Sequence, residues 1–279
     1  MHSNDDWLVL HVPKLDKLPR NVFIRSEHLP AHAVFPEHSH PWNQLVYAVS
    51  GALVVAVAGR LFIIPPEQAV WLPTGTPHSV RSNFGAEFRS LYIAESPTLG
   101  MPDTTSVLDV SPLLRALIIE AVDLEKRREE TAYAERISML ILDQLARLPR
   151  RPFFLPWPNG RMLRKLCEVL YKTPSDTRSI LEWGAELGAS GRTLSRQFER
   201  EMGISFRAWR YRLRAFRAME LLGTGLSVTA VALELGYAST SAFTYMFREE
   251  FGCSPTSYRT SEAGTAHREV QRSAARRMP

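Results

Sequence analysis

A repeat in the C-terminal half most constrains what this chain can fold into. "AELGAS" at 185–190 answers "LELGYAS" at 233–239, and "FEREMGIS" at 198–205 answers "FREEFGCS" at 247–254. The offset is 48 at the Glu-Leu-Gly and 49 at the Phe, so the second turn holds one extra residue. Two copies separated by a helix, "SFRAWRYRLRAFRAMELL", do not make a solenoid. Each copy instead has the grammar of a helix-turn-helix. A short helix ends at Glu-Leu-Gly, where Gly188 and Gly236 supply the left-handed residue of a sharp turn. Ser190 and Ser239 can cap the helix that follows. Leu194 and Phe198, or Phe243 and Phe247, then face inward at i, i+4. Gly184 and Ala232 stand where the two helices cross. A glycine inside a helix costs about 1 kcal/mol, which close packing explains.

A length of 279 residues suggests two domains. The net charge of +5 hides an asymmetry. Residues 1–149 carry 13 Lys/Arg and 17 Asp/Glu, whereas residues 150–279 carry 21 and 12, mostly as arginine. Arginine forks match phosphates and guanine edges. A basic half joined to a mildly acidic one suggests a nucleic-acid binder attached to something else. The start, "MHSNDDWLVLHVPK", does not read as a signal peptide. The apolar run "ALVVAVAG" is too short to span a bilayer. Cys167 and Cys253 form neither a disulfide framework nor a CxxC metal site. These features lead us to expect a cytoplasmic protein with no membrane partner.

Residues 21–93 read as all-β. "QLVYAV", "ALVVAV", "RLFII", "AVWL" and "FRSLYI" are separated by turn punctuation, which implies a small barrel or jelly roll. Residues 94–110 read as a loop. Ser111 as N-cap and Pro112 then open a helix whose apolar stripe is Leu114, Leu117, Ile118, Ala121 and Val122. A second helix carries Ile137, Leu140, Ile141 and Leu145 on one face. This hairpin, 111–148, either packs under the barrel or forms a dimer interface; stripes alone do not name their partner. Residues 149–160, "PRRPFFLPWPNG", hold four prolines and form a stiff linker. Its Phe153, Phe154 and Trp157 could dock on a neighbouring surface. The expected domains are 1–110, the hairpin, the linker, a helical domain at 161–261 and a flexible basic tail at 262–279. The fold class is therefore α+β multidomain, with an N-terminal β-barrel and a C-terminal all-α domain.

"LSVTAVALELGYASTSAFTYMFREEFGCSPTSYR" resembles the second helix-turn-helix signature of the AraC/XylS family of bacterial transcription regulators. "GRTLSRQF" and "GISF" fit the first, so the resemblance covers roughly residues 160–260. It implies two recognition helices in adjacent major-groove segments of promoter DNA. The groove-facing positions would be Arg192, Ser195 and Arg196 in the first, and Thr240, Ser241 and Tyr245 in the second. Thr and Ser do not choose a base and Tyr245 replaces an arginine often found there, so the second module would either be the weaker base reader or mainly hold phosphate. Arg212, Arg214, Arg217, Arg248 and Arg259 are candidate backbone contacts. RNA polymerase is a further partner that such regulators admit.

In the β-rich half, "HSHPWNQLVYAVSG" places His38 and His40 on one face of a strand, with Gln44 at the same parity. "PTGTPHSV" brings His78 after a Gly/Pro turn. The pattern H-x-H-x3-Q-x6-G followed by P-x-G-x2-H resembles the two motifs of the cupin superfamily, whose histidines and acidic residue hold a metal inside a small barrel. AraC-type regulators often carry such a domain as a sensor. Gln44 stands where a glutamate is usual and Glu67 where a glycine is. The implied ligand set is His38, His40, Gln44 and His78, suited to one divalent transition ion: zinc, nickel, iron or manganese. The alternative is a metal-free pocket offering hydrogen bonds to an organic effector. Trp42, Tyr47, Phe62 and Trp71 are candidates to line that effector pocket.

The sequence thus points to a ligand-responsive, homodimeric, non-enzymatic regulator that binds double-stranded promoter DNA. The rival is a metal-dependent cupin oxygenase or isomerase fused to a DNA-binding module, against which no further acid/base group stands among the ligands.

Overall fold

The computed structural model describes residues 7–12, 15–66, 68–94, 100–127, 132–148, 150–151 and 154–259. Glu67, Phe153 and the basic tail lie outside the described residues. Contacts divide the chain into two units, residues 1–58 with 62–153, and residues 59–61 with 154–279. Among the described residues, no helix is long and apolar enough to cross a membrane.

The first unit is built on strands β1 (Leu8–Val9), β2 (Val22–Leu29), β3 (Ala33–His38), β4 (Asn43–Gly51), β5 (Leu53–Val57) and β6 (Arg60–Ile64). It continues with β7 (Gln68–Leu72), β8 (His78–Ser82), β9 (Ala86–Ile93), β10 (Ser106–Asp109) and β11 (Arg150–Arg151). One sheet runs β1-β3-β8-β5-β6 and the other β11-β10-β7-β4-β9-β2. β1 pairs with β3 in parallel, whereas β2 with β9, β3 with β8, β5 with β8, β4 with β7 and β9, and β10 with β7 and β11 are antiparallel. Strand β10 lies inside the segment read as a loop. Its four residues pair with β7 from Ser106↔Trp71 to Asp109↔Gln68. So short a strand, bounded by Asp and Thr, has no alternation long enough to show in sequence.

Period-2 alternation decides what each face of the second sheet meets. Leu45, Tyr47 and Val49 of β4, Ala69 and Trp71 of β7, and Leu91 and Ile93 of β9 share one core. That core is completed by helix α1 (Pro112–Arg127) through Leu114, Ile118 and Val122, and by helix α2 (Ala132–Arg147) through Ile137, Ile141 and Leu145. Full burial of such a side chain contributes about 1.5–3 kcal/mol. Ser111 caps α1, its hydroxyl accepting from the Leu114 amide at 3.1 Å. The hairpin's apolar stripe is therefore covered by the sheet. Leu140 departs from the expected face, being 45% exposed, whereas Ile141 is fully buried. One residue is 100° of helix rotation, enough to move a side chain from core to surface.

The second unit opens with the short strand β12 (Leu155–Pro156) and continues with α3 (Arg161–Lys172), α4 (Ile180–Glu186), α5 (Gly191–Met202), α6 (Phe206–Gly223), α7 (Val228–Glu234) and α8 (Thr240–Phe251). Serines 179, 190, 205, 227 and 239 each cap the helix they precede, accepting from a backbone N–H. Gly188 and Gly236 hold φ of +71° and +75° in the two sharp turns. Trp183, Phe198, Trp209, Phe216, Phe243 and Phe247 are fully buried. The Trp209 indole donates to the Pro156 carbonyl at 2.8 Å, and Trp157 packs on Tyr171 and Trp209.

Gly184 has the crossing role expected of it. A Cβ there would stand 2.7 Å from the Ala189 carbonyl oxygen and 3.0 Å from the Gly191 nitrogen. Both are backbone atoms of the α4–α5 turn and cannot swing aside. At Gly188, by contrast, an added Cβ meets nothing within 4 Å. Gly184→Ala should therefore cost about 1–3 kcal/mol, as overpacking does. Gly188→Asn should cost under about 1 kcal/mol, because asparagine tolerates the left-handed region. Thermal unfolding of the two variants checks the order.

Candidate functional site

The three histidines converge, although they come from different places. His38 ends β3, His78 opens β8, and the two are register partners. A bulge between Phe35 and His38 re-aims the end of β3. His40 lies in the connection to β4, which carries Gln44. The loop before His78 is held by two bonds, from the Gly75 amide to the His40 carbonyl at 3.0 Å and from the Thr74 amide to Asn43 Oδ1 at 3.1 Å. One ligand atom from each of His38, His40 and His78 lies within 4.8 Å of the others.

Each ring is pinned by its Nδ1 to a backbone carbonyl two residues away. The distances are 2.8 Å to Pro36, 3.0 Å to Trp42 and 2.8 Å to Thr76 for His38, His40 and His78. A carbonyl only accepts, so Nδ1 carries the proton and Nε2 keeps its lone pair. Burial lowers the pKa of His38 and holds that of His78 down at about 4. The Thr76 bond opposes that shift, while His38 and His40 add to it. Both rings are therefore neutral and nucleophilic at Nε2 near neutral pH. The Nε2 of His78 is buried and has no hydrogen-bond partner among the described residues.

Gln44 is 4% exposed and reaches the same place. Its Oε1 stands 2.8 Å from His40 Nε2, and its Nε2 bonds the Ser90 hydroxyl. With Nδ1 of His40 donating to Trp42, the Oε1–Nε2 pair is two acceptors face to face. A cation between them relieves this, as does an amide turned so that its N–H₂ donates to the imidazole and Ser90 donates to Oε1. An orphaned buried nitrogen, pinned tautomers and opposed acceptors all fit a divalent transition ion. Bonds of about 2.0–2.1 Å put tetrahedral donors about 3.4 Å apart, so the widest pair in the set would have to close by up to about 1.4 Å.

The expected effector-pocket residues separate. Trp42 stacks on His40, with ring centroids 5.3 Å apart and planes 11° apart. Tyr47 and Trp71 belong to the opposite face of the sheet, within the core under the hairpin, and do not line the histidine pocket. Trp71 donates there to the Pro102 carbonyl at 3.0 Å. Both have the opposite parity to Gln44 (Tyr47 on β4 itself, Trp71 through its cross-strand partner Leu45), which the aromatic composition alone had obscured. Phe62 is buried on β6. Two residues that sequence reasoning missed are Ser90 and Tyr92. Tyr92 meets both His40 and Trp42, at 5.4 and 5.6 Å, and accepts from Arg25 at 3.3 Å. Alternation along "FRSLYI" could have found them, since Ser90 and Tyr92 share one face.

In the second unit, Arg192 and Arg196 are exposed on the outward face of α5 and Ser195 is half-buried, while Leu194 and Phe198 face the core. On α8, Ser241, Tyr245 and Arg248 are exposed and Thr240 is half-buried. Arg212 is half-buried and donates to the Phe154 carbonyl at 3.4 Å. Arg259 donates to the Leu226 carbonyl at 3.3 Å. Arg217 is a correction. It is 8% exposed, ion-paired with the 2%-exposed Glu220, and lies over the Tyr171 ring. Tyr171 donates to the same carboxylate at 3.0 and 3.1 Å. Arg217 is thus committed to a buried ion pair rather than turned to the surface. Arg214 and Arg210 turn to the α3–α4 loop, donating to the carbonyls of Pro174 at 2.9 Å and Arg178 at 2.8 Å.

Two family models match this chain, a cupin domain over residues 25–93 and a helix-turn-helix domain over residues 183–261. The HTH-type transcriptional regulator NimR of Escherichia coli K12 is 34% identical over 223 residues, covering 80% of this chain and 81% of its own. The HTH-type transcriptional regulator RipA of Corynebacterium glutamicum is 38% identical over 109 residues, covering 39% of this chain and 33% of its own. The crystal structure of ToxT from Vibrio cholerae O395 aligns with 86% of this chain and 97% of its own, at 13% identity and a TM-score of 0.37. The chain belongs to the AraC/XylS family of DNA-binding transcription regulators, with a cupin domain before the double helix-turn-helix.

The two kinds of arginine separate by experiment. Arg217→Ala leaves the buried Glu220 without its ion-pair partner and should cost about 3–5 kcal/mol of stability. Arg196→Ala, at the surface, should leave the unfolding curve unchanged within about 0.5 kcal/mol. Denaturant titration of both variants makes the comparison.

Proposed function

We propose that this protein is a ligand-responsive transcription regulator, whose cupin unit senses a small molecule or divalent metal ion and whose helical unit binds promoter DNA. The observation that carries the sensing half is the convergence of three pinned imidazoles on one point beside Gln44. His38, His40, His78 and Gln44 would hold a divalent transition ion such as zinc, nickel, iron or manganese. Such an ion would supply a fixed charge and, where it takes more than four ligands, a position for an effector atom. The chain's own residues do the rest. The three Nδ1 bonds orient the rings, Ser90 holds Gln44, and Trp42 with Tyr92 offers apolar surface beside His40. Gln44 has two arrangements, Oε1 toward the cluster or N–H₂ toward His40, and a ligand that favours one of them shifts the population.

Family membership favours a regulator over an oxygenase or isomerase. For DNA, the outward arginines Arg192 and Arg196 support guanine reading by the first module, with Arg248 and Arg212 toward phosphates. Thr240, Ser241 and Tyr245 complete the second. The regulator is proposed to act as a homodimer, because paired half-sites suit paired modules. The surface for it is the outer side of the hairpin, where Leu113, Tyr133, Met139 and Leu140 are 54%, 44%, 58% and 45% exposed.

Two measurements test this. Elemental analysis of protein purified without a polyhistidine tag should find a near-stoichiometric transition metal, lost in His38→Ala/His78→Ala. A metal-free protein that ignores added metal yet loses an effector response in the double variant makes the cluster an organic-ligand pocket. Light scattering should show a dimer that Leu140→Asp dissociates; a wild-type monomer at high concentration refutes the assembly.

A further inference from the structure

The two recognition helices are matched in scaffold and opposed in chemistry. At an offset of 49 residues, Arg192 becomes Ser241, Ser195 becomes Thr244, and Arg196 becomes Tyr245. All six stand away from the core, which each helix meets through its own pair, Leu194 and Phe198 or Phe243 and Phe247. In a helix-turn-helix the first turns of the second helix meet the base edges. The first module therefore brings two guanidinium groups to those edges. The second brings hydroxyls, methyl groups and one phenol ring, with no charge before Arg248 in its third turn. Tyr245 is 69% exposed, far more than a tyrosine held for packing.

This difference sets what each module can read. A guanidinium pairs with guanine O6 and N7 through two bonds. A hydroxyl accepts or donates without choosing a base. What the methyls of Thr240 and Thr244 and the ring of Tyr245 can recognise is the one apolar group in the major groove, the C5-methyl of thymine. We propose that the second module reads thymine methyl groups through Tyr245 and its threonine neighbours, while the first module reads guanine, so that the operator is divided into a methyl-read and a guanine-read segment. This rests on the DNA-binding reading above and adds the chemistry of its second half.

The test uses the full-length protein and duplexes selected from a randomised pool. The segment whose preference changes in Tyr245→Ala is assigned to the second module, and the one changed by Arg196→Ala to the first. Thymines of the second segment are then replaced singly by deoxyuridine, which removes only the methyl and keeps every hydrogen bond. Binding should weaken about three- to fivefold for a contacted methyl, the worth of one buried methylene-sized group. In Tyr245→Ala the same replacement at the ring-contacted position should have no effect. In the first segment 7-deazaguanine should weaken wild type and leave Arg196→Ala unchanged. Deoxyuridine without effect at every position, or a guanine required in the second segment, overturns the division. Loss of Tyr245 that lowers all sequences equally also overturns it. Absence of any DNA binding would instead sink the regulator reading beneath it.

Discussion

Strand β4 has two faces, and both are committed. Leu45, Tyr47 and Val49 enter the core under the helical hairpin, while Gln44 turns to the imidazoles and Ser90. A one-residue slip would exchange these sets, placing an amide in the apolar core and a leucine beside three nitrogen donors. Register here is fixed from both sides, by β7 at Gln44↔Leu72 and by β9 at Gln44↔Tyr92. Burial of the outer face thus positions the inner one. The packing energy of the hairpin and the geometry of the site are one constraint.

That coupling explains what was legible in the first unit. The histidines and Gln44 stood out because their spacing is fixed by a strand and a tight turn, both local features. Strand β4 through β7 and β9 could be read for the same reason. The facing of Tyr47 and Trp71 could not be read from residue type, since a large aromatic suits a ligand pocket and a sheet–helix core equally well. Parity within β4 holds the answer for Tyr47, but only once Gln44 is known to face inward. Strands β2 and β3 lie within the stretch read as β, but charged and prolyl residues in "VFIRSEHL" and "AVFPEH" blur their alternation; β2 ends its sheet beside β9, and β3 lies between β1 and β8.

In the second unit the caps, turns and core aromatics follow from short-range rules, and Ser190, Ser239, Gly188, Gly236 and Gly184 stand as those rules require. The arginines do not. Arg217 lies five residues from Arg212 on the same helix, yet one is buried against Glu220 and the other is half-exposed. Glu220 three residues on was a signal, because a carboxylate at i+3 can neutralise a buried guanidinium. Tyr171, which satisfies the same carboxylate, is 49 residues away, and no local pattern announces it. Formal charge in a sequence therefore overstates the charge available to DNA.

The repeat separates what folding fixes from what recognition leaves free. Positions that close the turn, cap the helix or enter the core carry the same residue class in both copies: Gly188 with Gly236, Ser190 with Ser239, Phe198 with Phe247. Each has a steric or hydrogen-bonding demand that few side chains meet. The outward positions carry no such demand, and there the copies diverge from guanidinium to hydroxyl and ring. Exchanging an exposed arginine for a tyrosine alters stability little, so divergence at these positions costs the fold almost nothing. A twofold repeat of one scaffold can thus present two different chemistries to DNA, and the difference between them resides in side chains that the core does not hold.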